Sequence, residues 1–430
     1  MRKINVGLIG LGTVGRGVYK LLISRSAFFK SKFGIDIRLK KVFDLNKRIF
    51  SKVSVSKKII ADSANELIID PEIDIIVELI GGIHPAKEYI EKAIINAKFV
   101  VTANKALLAL AGGELFKLAK KFNRDIYFEG SVMGGVPIIK VLREGLVANK
   151  INAIYGIING TSNYILSKMA DEGLDFSHAL AIAKKRGYTE RNPSLDIGGV
   201  DCAHKLALLT HLAFGKSVNL EEIFVEGIKD ISAVDIQYAK ELGYCLKLLG
   251  IAKIEDGKLQ VRVHPTLLPA KHPLSSVSGV FNALFLSADL VGDMLLYGRG
   301  AGQLPATSAV ISDIVDVALN IKCDTGQRLP VLPLVSSPRL IKMQDIVCRY
   351  YLRFMAIDKP GVLSKISSIL GKHKISIASV TQKERRRAKV VPVVILTHEA
   401  REKDLQLALK QIFQFAVIKR FPVALRIEGR

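Results

Sequence analysis

The stretch Ile4-Asn5-Val6-Gly7-Leu8-Ile9-Gly10-Leu11-Gly12-Thr13-Val14-Gly15 lies near the start of a 430-residue chain and decides the first part of the fold. Its apolar residues up to Ile9 predict a buried strand, and the segment after Gly15 predicts an amphipathic helix. Outward from this stretch, apolar runs alternate with helical patterns to about residue 130, which predicts a parallel, doubly wound α/β sheet. Its predicted strands are Ile4–Ile9, Ile37–Phe43, Ile75–Leu79, Phe99–Thr102 and Ile126–Phe128.

The three glycines between the first strand and helix form the pattern of a dinucleotide-binding turn in a Rossmann-type domain. Gly10 permits the tight turn, Gly12 lets a pyrophosphate approach the backbone, and Gly15 lets the helix pack close to the strand. The helix N-terminus adds free N–H groups for the phosphates. The predicted cofactor-binding residues of this turn are Gly10, Leu11, Gly12, Thr13, Val14 and Gly15.

Two later segments extend the predicted cofactor site. Asp44 closes the second strand, where a carboxylate usually holds ribose hydroxyls and favours NAD. Lys47 and Arg48 follow it and could instead hold a 2′-phosphate, so the sequence leaves NAD and NADP open. Ligands of such sheets bind beyond the carboxyl ends of the strands. We therefore add the residues at the end of the fourth strand to the site, which are Thr102, Ala103 and Lys105.

The remaining chain predicts two further domains. Residues 131–302 are predicted to form an α+β domain for substrate binding, catalysis and dimerisation. A helix within 303–320 is expected to complete the dinucleotide-binding domain of residues 1–130. Residues 321–348 are interpreted as a linker because they lack periodicity. Residues 349–430 follow the order βαββαβ, which is typical of a ferredoxin-like unit.

The segment from Gly187 to Lys205 carries the predicted chemistry. Asp201 and Lys205 stand four residues apart and share a helix face, while Glu190 and Asp196 come from the loop before that helix. A lysine of lowered pKa can move the proton that accompanies hydride transfer, and a carboxylate can position it. Acidic side chains would also suit a substrate ammonium group. The alternative is a surface loop with an ordinary helix ion pair.

The same segment, from Ala183 to Lys205, resembles the signature of the homoserine dehydrogenases: A-x3-G-aromatic-[ST]-E, a proline, then D-[ILV]-x-G-x-D-x3-K. The resemblance covers residues 1 to about 320. It implies NAD(P)-dependent interconversion of L-homoserine and L-aspartate 4-semialdehyde in the biosynthesis of threonine, methionine and isoleucine. A related dehydrogenase acting on another small amino acid or semialdehyde is the alternative.

The resemblance implies a role for individual residues. Lys205 would be the acid–base lysine, Asp201 its partner, and Lys105 an aid at the reacting oxygen or substrate carboxylate. The substrate-binding residues would be Glu190, Asp196, Tyr188, Gly160 and Thr161. In this family, oxygens of an E-x-x-V-x-G-x-[IV] stretch can hold a sodium ion, and the matching residues are Glu129, Val132, Gly134 and Val136.

The C-terminal unit contains Asp358-Lys359-Pro360-Gly361-Val362-Leu363 between a strand and a helix, and it resembles the amino-acid-binding ACT domain. The resemblance implies control by a pathway amino acid, with threonine the natural candidate. A purely structural or dimerising role is the alternative. Together with the middle domain, this unit leads us to expect a homodimer or homotetramer.

Composition narrows the class of protein. The formal net charge is +23, but the lysines are spread along the chain and no nucleic-acid motif occurs, so we expect no nucleic-acid partner. No apolar stretch approaches the roughly 20 residues of a membrane helix. We expect a cytoplasmic enzyme with no membrane partner. A sensor that binds the cofactor without catalysis is the remaining alternative, and the presence of Lys205 and Asp201 argues against it.

Overall fold

The computed structural model describes residues 3–189, 192–328, 338–383 and 389–429. The strands are β1 (Lys3–Ile9), β2 (Asp36–Phe43), β3 (Ile75–Glu78), β4 (Phe99–Thr102), β5 (Ile126–Tyr127), β6 (Ile151–Ile157), β7 (Phe224–Val225), β8 (Tyr244–Glu255), β9 (Lys258–Pro269), β10 (Phe281–Ala288), β11 (Gly292–Arg299), β12 (Arg339–Leu340), β13 (Val347–Ile357), β14 (Ile377–Thr381), β15 (Val390–Thr397), β16 (Ala400–Arg401) and β17 (Val423–Ile427). The α-helices are α1 (Thr13–Ser24), α2 (Ser26–Phe33), α3 (Arg48–Val53), α4 (Ala64–Ile69), α5 (Ala86–Ile95), α6 (Lys105–Lys121), α7 (Ile138–Lys140), α8 (Gly160–Glu172), α9 (Phe176–Lys185), α10 (Ser194–Ile197), α11 (Val200–Phe214), α12 (Ala233–Glu241), α13 (Gln303–Lys322), α14 (Val362–Lys372) and α15 (Glu402–Phe413).

The chain divides into two compact units, and the first combines the described residues of 1–152, 203–221 and 281–337. Its five-stranded sheet has the order β2-β1-β3-β4-β5, and each pair of neighbouring strands is parallel. This confirms the predicted Rossmann-type sheet. The strand order reverses between β1 and β3, so the carboxyl ends of these two strands border the crevice in which such sheets bind ligands.

Helix α13 packs in the core of this unit. Val310, Ile314 and Val317 are fully buried in one cluster with residues of β1, β3 and α1. Gly17 permits a close approach of α1, because a Cβ there would lie 2.1 Å from Oγ1 of Thr307. α13 is also the one helix in the described ranges long and apolar enough to span a membrane, but 67% of its most apolar window is buried inside the protein. Packing in the core therefore explains why α13 is apolar.

The second unit comprises the described residues of 153–202, 222–280 and 338–430. Its strands follow the order β6-β8-β9-β17-β13-β15-β14. β8 and β9 form a long antiparallel hairpin, and both residues of its turn, Asp256 and Gly257, have positive φ angles of 50° and 69°. Such angles match the right-handed twist of the paired strands.

The C-terminal part of the second unit has the predicted βαββαβ order, with β13 between β17 and β15. The helices α14 and α15 pack on one face through the fully buried Ile366, Leu405 and Ile412. β17 continues the sheet of the hairpin, because it pairs in parallel with β9 at Arg426↔Thr266 and Ile427↔Leu267. We call this pairing the β9–β17 seam.

Several elements differ from the sequence predictions. The apolar pattern predicts the last strand over 417–426, but β17 begins at Val423. It predicts another strand over 289–296, but β11 begins at Gly292 because residues 289–291 turn the chain between β10 and β11. Within the predicted linker, Arg339 and Leu340 form β12, which pairs with β9. That short segment is therefore part of the sheet.

Candidate active site

The glycine turn in the first unit has the close packing that a dinucleotide site needs. Gly10 has φ +100°, and a Cβ at Gly15 would lie 2.0 Å from the carbonyl oxygen of Gly10. At Gly12 a Cβ would meet nothing within 4 Å, so the backbone is open to a ligand there. Helix α1 has no side-chain cap at its N-terminus and no acidic residue in its first turn. Its first N–H groups therefore remain available to an anion.

Asp44 holds this turn in place. Its Oδ2 accepts a hydrogen bond of 2.6 Å from the backbone N–H of Leu11, and its Oδ1 accepts one of 2.8 Å from that of Asn46. Lys47 and Arg48 follow on the exposed surface. Each carboxylate oxygen of Asp44 thus accepts one backbone N–H.

A buried glutamate that sequence reasoning missed joins β3 to β4. Glu78 is fully buried, and its Oε2 accepts a hydrogen bond of 2.7 Å from the Thr102 hydroxyl. Its Oε1 accepts one of 2.8 Å from the N–H of Ile80. Asn104 caps α6 and donates to the carbonyl of Gly82 at 2.6 Å. The hydroxyl of Thr102 thus supports the strand ends, and the half-buried Lys105 begins α6 beside it. The sequence signal for Glu78 is a carboxylate that directly follows three apolar strand residues.

The candidate sodium stretch lies in the first unit. The carboxylate of Glu129 accepts hydrogen bonds of 2.9 and 2.8 Å from the N–H groups of Ile139 and Lys140 and so caps α7. Burial raises the pKa of Glu129 to about 7. The carbonyl of Val136 accepts from the N–H of Ile138 at 2.8 Å. In the described ranges no three His, Cys, Asp or Glu side chains come together as a metal site.

In the second unit, one amide side chain brings two predicted acids together. Nδ2 of Asn159 donates to Oδ1 of Asp196 at 2.7 Å and to Oδ2 of Asp201 at 2.8 Å. Oδ1 of Asn159 caps α8 by accepting from the N–H of Ser162 at 2.8 Å. Asp201 is buried in the first turn of α11, while Asp196 lies in α10. No role was predicted for Asn159, although an Asn before Gly-Thr-Ser is a helix-cap signal.

The predicted pocket residues Tyr188 and Thr161 also meet. The Thr161 hydroxyl donates to the Tyr188 carbonyl at 2.7 Å. The ring of Tyr188 is 40% exposed and lies edge-on to that of Tyr164, with centroids 4.9 Å apart. Gly160 is the first residue of α8. Glu190, the other predicted ligand of the substrate amino group, lies outside the described residues.

Lys205 lies in α11, one helical turn after Asp201, and is half-buried. His211, further along the helix, stacks on Phe116 with centroids 6.0 Å apart and lies 3.0 Å from the hydroxyl of Ser217. His211 is therefore a packed histidine.

The glycine turn, with its open N–H groups at the edge of a parallel sheet, agrees with a family comparison. The family model described as "Homoserine dehydrogenase, NAD binding domain" matches residues 10–129. The class of protein is thus a nicotinamide-dependent oxidoreductase, which acts here on a CH–OH group.

Two further family models, described as "Homoserine dehydrogenase" and "ACT domain", match residues 137–315 and 350–416. A homoserine dehydrogenase of Neisseria gonorrhoeae is 42% identical over 433 residues, which cover 100% of this chain and 99% of that one. The crystal structure of a homoserine dehydrogenase from Thiobacillus denitrificans is similar with a TM-score of 0.94 and 40% identity, covering 100% of this chain and 99% of that chain. A hyperthermophilic archaeal homoserine dehydrogenase in complex with NADPH gives a TM-score of 0.63 and 30% identity over 74% of this chain and 98% of that chain. The chain belongs to the homoserine dehydrogenase family.

Proposed function

We propose that Lys205 is the acid–base group of the reaction and that Asp201 positions it. In oxidation, Lys205 would accept the hydroxyl proton of L-homoserine. The bound nicotinamide would supply the acceptor for the hydride from the carbon that bears this hydroxyl. The products are L-aspartate 4-semialdehyde and the reduced cofactor, and reduction reverses both transfers. The observation that carries this proposal is the Asn159 amide, which holds Asp196 and Asp201 together one turn before Lys205.

For the substrate, we propose that Asp196 and Glu190 bind the ammonium group and that Lys105 assists at the reacting oxygen or the carboxylate. Tyr188, Thr161 and Gly160 would line the pocket. The exposed ring of Tyr188, tied to α8 through the Thr161 hydroxyl, supports this role. A short substrate with charges at one end and an alcohol at the other suits such a set.

As the cofactor, we propose NADP. Asp44 uses each of its oxygens on a backbone N–H, while Lys47 and Arg48 are exposed just beyond it. A 2′-phosphate would gain charge-assisted contacts from these two cations. The bound cofactor would supply or accept the hydride. The residues of the chain would position the cofactor and exclude other reactants.

The test is an assay of L-homoserine oxidation at alkaline pH with NAD⁺ or NADP⁺, followed by absorbance of the reduced nicotinamide. Lys205→Ala should reduce kcat by about 10²-fold or more, the usual contribution of acid–base catalysis. The control is Lys117→Ala, which removes an exposed lysine of α6. Undiminished turnover in Lys205→Ala would exclude this lysine as the acid–base group. A rate ratio in favour of NAD⁺ would overturn the cofactor proposal.

The proposal also covers a sodium ion, an amino-acid effector, the location and assembly of the protein, and its domain bounds. Oxygens of Glu129, Val132, Gly134 and Val136 are hard donors that suit sodium. Exchange of NaCl for tetramethylammonium chloride would test whether activity depends on sodium.

The C-terminal ACT unit would bind a pathway amino acid, with threonine the first candidate, within the biosynthesis of threonine, methionine and isoleucine. We place the protein in the cytoplasm as a homodimer or homotetramer. The domains would be 1–130 with 303–320, 131–302 and 349–430.

A further inference from the structure

Glu78 lies where the strands of the first unit meet the predicted cofactor site. It is the last residue of β3 and is fully buried. In the sheet it lies beside Ile9 of β1 on one side and beside Thr102 of β4 on the other. The glycine turn begins directly after Ile9, and α6 begins with Lys105 shortly after Thr102. Glu78 therefore lies between two predicted parts of the site, at the end of the sheet where ligands bind.

Hydrogen bonds rather than packing explain a carboxylate at this position. Oε1 of Glu78 accepts from the N–H groups of Ile80 at 2.8 Å and Gly81 at 3.4 Å. Oε2 accepts from the Thr102 hydroxyl at 2.7 Å. Burial of a carboxylate is costly unless such bonds satisfy it, and an apolar side chain could end this strand without that cost. The three contacts are therefore what Glu78 supplies and an apolar residue could not.

The Thr102 hydroxyl connects Glu78 to the start of α6. It donates to Glu78, and its oxygen accepts a hydrogen bond of 3.0 Å from the N–H of Asn104. Asn104 caps α6, because its Oδ1 accepts from the N–H of Leu107 at 3.2 Å. Lys105 follows Asn104 directly and is the first residue of the helix. Two successive hydrogen bonds thus link Glu78 to the residue that precedes Lys105.

The same set of contacts holds the loop after β3. Gly81 and Gly82 have φ angles of +73° and +75°, and a Cβ at Gly81 would meet nothing within 4 Å. Backbone angle rather than close packing therefore requires glycine there, and glycine gives the chain more conformational freedom. Glu78 holds the start of this loop. Nδ2 of Asn104 holds its end by donating to the carbonyl of Gly82 at 2.6 Å, so the hydrogen bonds form a closed ring.

We propose that Glu78 is a positioning residue, which holds Lys105 where the reaction needs it. The inference rests on the proposed role of Lys105 at the reacting oxygen or the substrate carboxylate. Without the carboxylate, the loop and the start of α6 would lose their hydrogen bonds to the end of β3, and Lys105 would shift. A shift of about 1 Å near reacting groups can lower a rate by about 10²-fold.

The experiment measures kcat/KM for homoserine in a double-mutant cycle of the full-length enzyme. Glu78→Gln keeps the shape of the side chain but replaces one acceptor oxygen with a donor, and it should lower kcat/KM about tenfold or more. Lys105→Ala should lower kcat/KM as well. In the Lys105→Ala background, Glu78→Gln should change kcat/KM less than about twofold, because residues that act through one another are not additive. A merely structural role would cost the same in both backgrounds.

The matched control is Asp74→Asn, directly before β3 at the opposite end of the strand. Oδ2 of Asp74 accepts a hydrogen bond of 2.8 Å from the N–H of Asn5 in β1, so the variant makes the same exchange at a carboxylate that joins two strands. It should leave kcat/KM unchanged. Thermal unfolding shows whether each variant is folded. If Glu78→Gln does not fold, Thr102→Val removes the linking hydroxyl and gives the same test in the cycle with Lys105→Ala.

Two results would overturn the inference. In one, Lys105→Ala lowers kcat/KM, but Glu78→Gln has no effect or costs the same with and without Lys105. The role of Lys105 would then stand, and Glu78 would serve the fold alone. In the other, Lys105→Ala leaves kcat/KM unchanged, so the proposed role of Lys105 fails and the inference fails with it.

Discussion

Asn159 shows how one residue can serve fold and chemistry together. It caps α8 with its oxygen and gives both protons of its amide nitrogen to Asp196 and Asp201. Loss of the amide would leave two neighbouring carboxylates without their shared donor, and like charges in close contact repel. The geometry of the acid cluster thus depends on a neutral side chain.

We therefore expect Asn159→Ala to lower kcat/KM for homoserine about tenfold or more, and to lower the free energy of unfolding by about 1–3 kcal/mol because a buried donor is lost. Steady-state kinetics and urea denaturation measure the two effects. Ser63→Ala removes the cap of α4, far along the sequence from the acids, and is the control for cap loss alone. Equal kcat/KM in both variants would show that Asn159 acts only as a cap.

The raised pKa of Glu129 predicts that the stability of the protein depends on pH. Burial raises its pKa from 4.5 to about 7, so between these values the folded state binds more protons than the unfolded state. Its contribution to the free energy of unfolding is fully present below about pH 4.5 and is lost as pH rises through 7. The shift corresponds to about 3 kcal/mol.

Glu129→Gln should flatten the fall in stability between pH 4.5 and 7, although it costs stability overall because its amide cannot accept both N–H groups of α7. Urea midpoints across this pH range are the measurement. Glu172→Gln, at an exposed position, should leave the profile as it is. A Glu129→Gln profile parallel to that of the unchanged protein would mean that this carboxyl does not titrate in the window.

At the scale of elements, β17 depends on a buried ion pair. Arg426 donates to both oxygens of Glu402 at 2.9 and 2.7 Å, and Tyr350 donates to the same carboxylate. The guanidinium holds the pKa of Glu402 below its usual value against the effect of burial. A buried pair of this kind is costly to break on one side only, because the remaining charge stays in the interior.

Arg426→Met should lower the free energy of unfolding by about 3–5 kcal/mol, and Arg426→Met/Glu402→Met should recover much of that loss. Arg401→Ala, which removes an exposed pair with Asp345 next to the same helix, should cost at most about 1 kcal/mol. Urea denaturation of the four proteins, followed by circular dichroism, gives the comparison. A double variant less stable than Arg426→Met would contradict this view of the pair.

Local patterns predicted some elements and not others, for physical reasons. Apolar residues that recur at helical spacing predict a helix over 402–413, and α15 has these bounds. β8 and β10 were not predicted from the sequence. β8 is buried over most of its length, so its apolar run lacks the alternation that marks a strand with one exposed face.

Residues of the candidate site could be predicted only where they lie close together in the sequence. The signature gave Asp196 and Asp201 because they lie in one continuous segment, whereas Asn159 lies 37 residues before Asp196 and meets it only in the folded chain. Glu78 was missed for the same reason, since its partner Thr102 belongs to another strand. Contacts across such distances have no local pattern that sequence reasoning can use.

At the scale of the whole molecule, the ACT unit completes the sheet of the second unit. β9 pairs with β17 and β12, and the fully buried Arg262 of β9 donates to Glu428 at 2.6 Å. Removal of the ACT unit would expose the part of the β9 edge that pairs with β17, and it would remove the carboxylate partner of Arg262. Exposed strand edges promote association with other chains.

A chain ending at Asp324 should therefore have a lower melting temperature and form aggregates. Size-exclusion chromatography and thermal unfolding measure this. Lys229→Gln/Asp230→Asn, which changes two exposed residues outside the strands and keeps the sheet, serves as the control. A soluble, fully active truncated chain of unchanged stability would show that the ACT unit is dispensable to the sheet.

The β9–β17 seam has a mechanical consequence. A sensor attached through a flexible tether can swing, and its movement has a long reach, whereas backbone hydrogen bonds across a continuous sheet leave no pivot. Under the regulation proposed for the ACT unit, a signal would travel as small strains across the sheet, which closely packed interiors transmit well. That regulation should then show no slow lag, and hydrogen exchange should reveal it as altered protection along β9 rather than as a moving body.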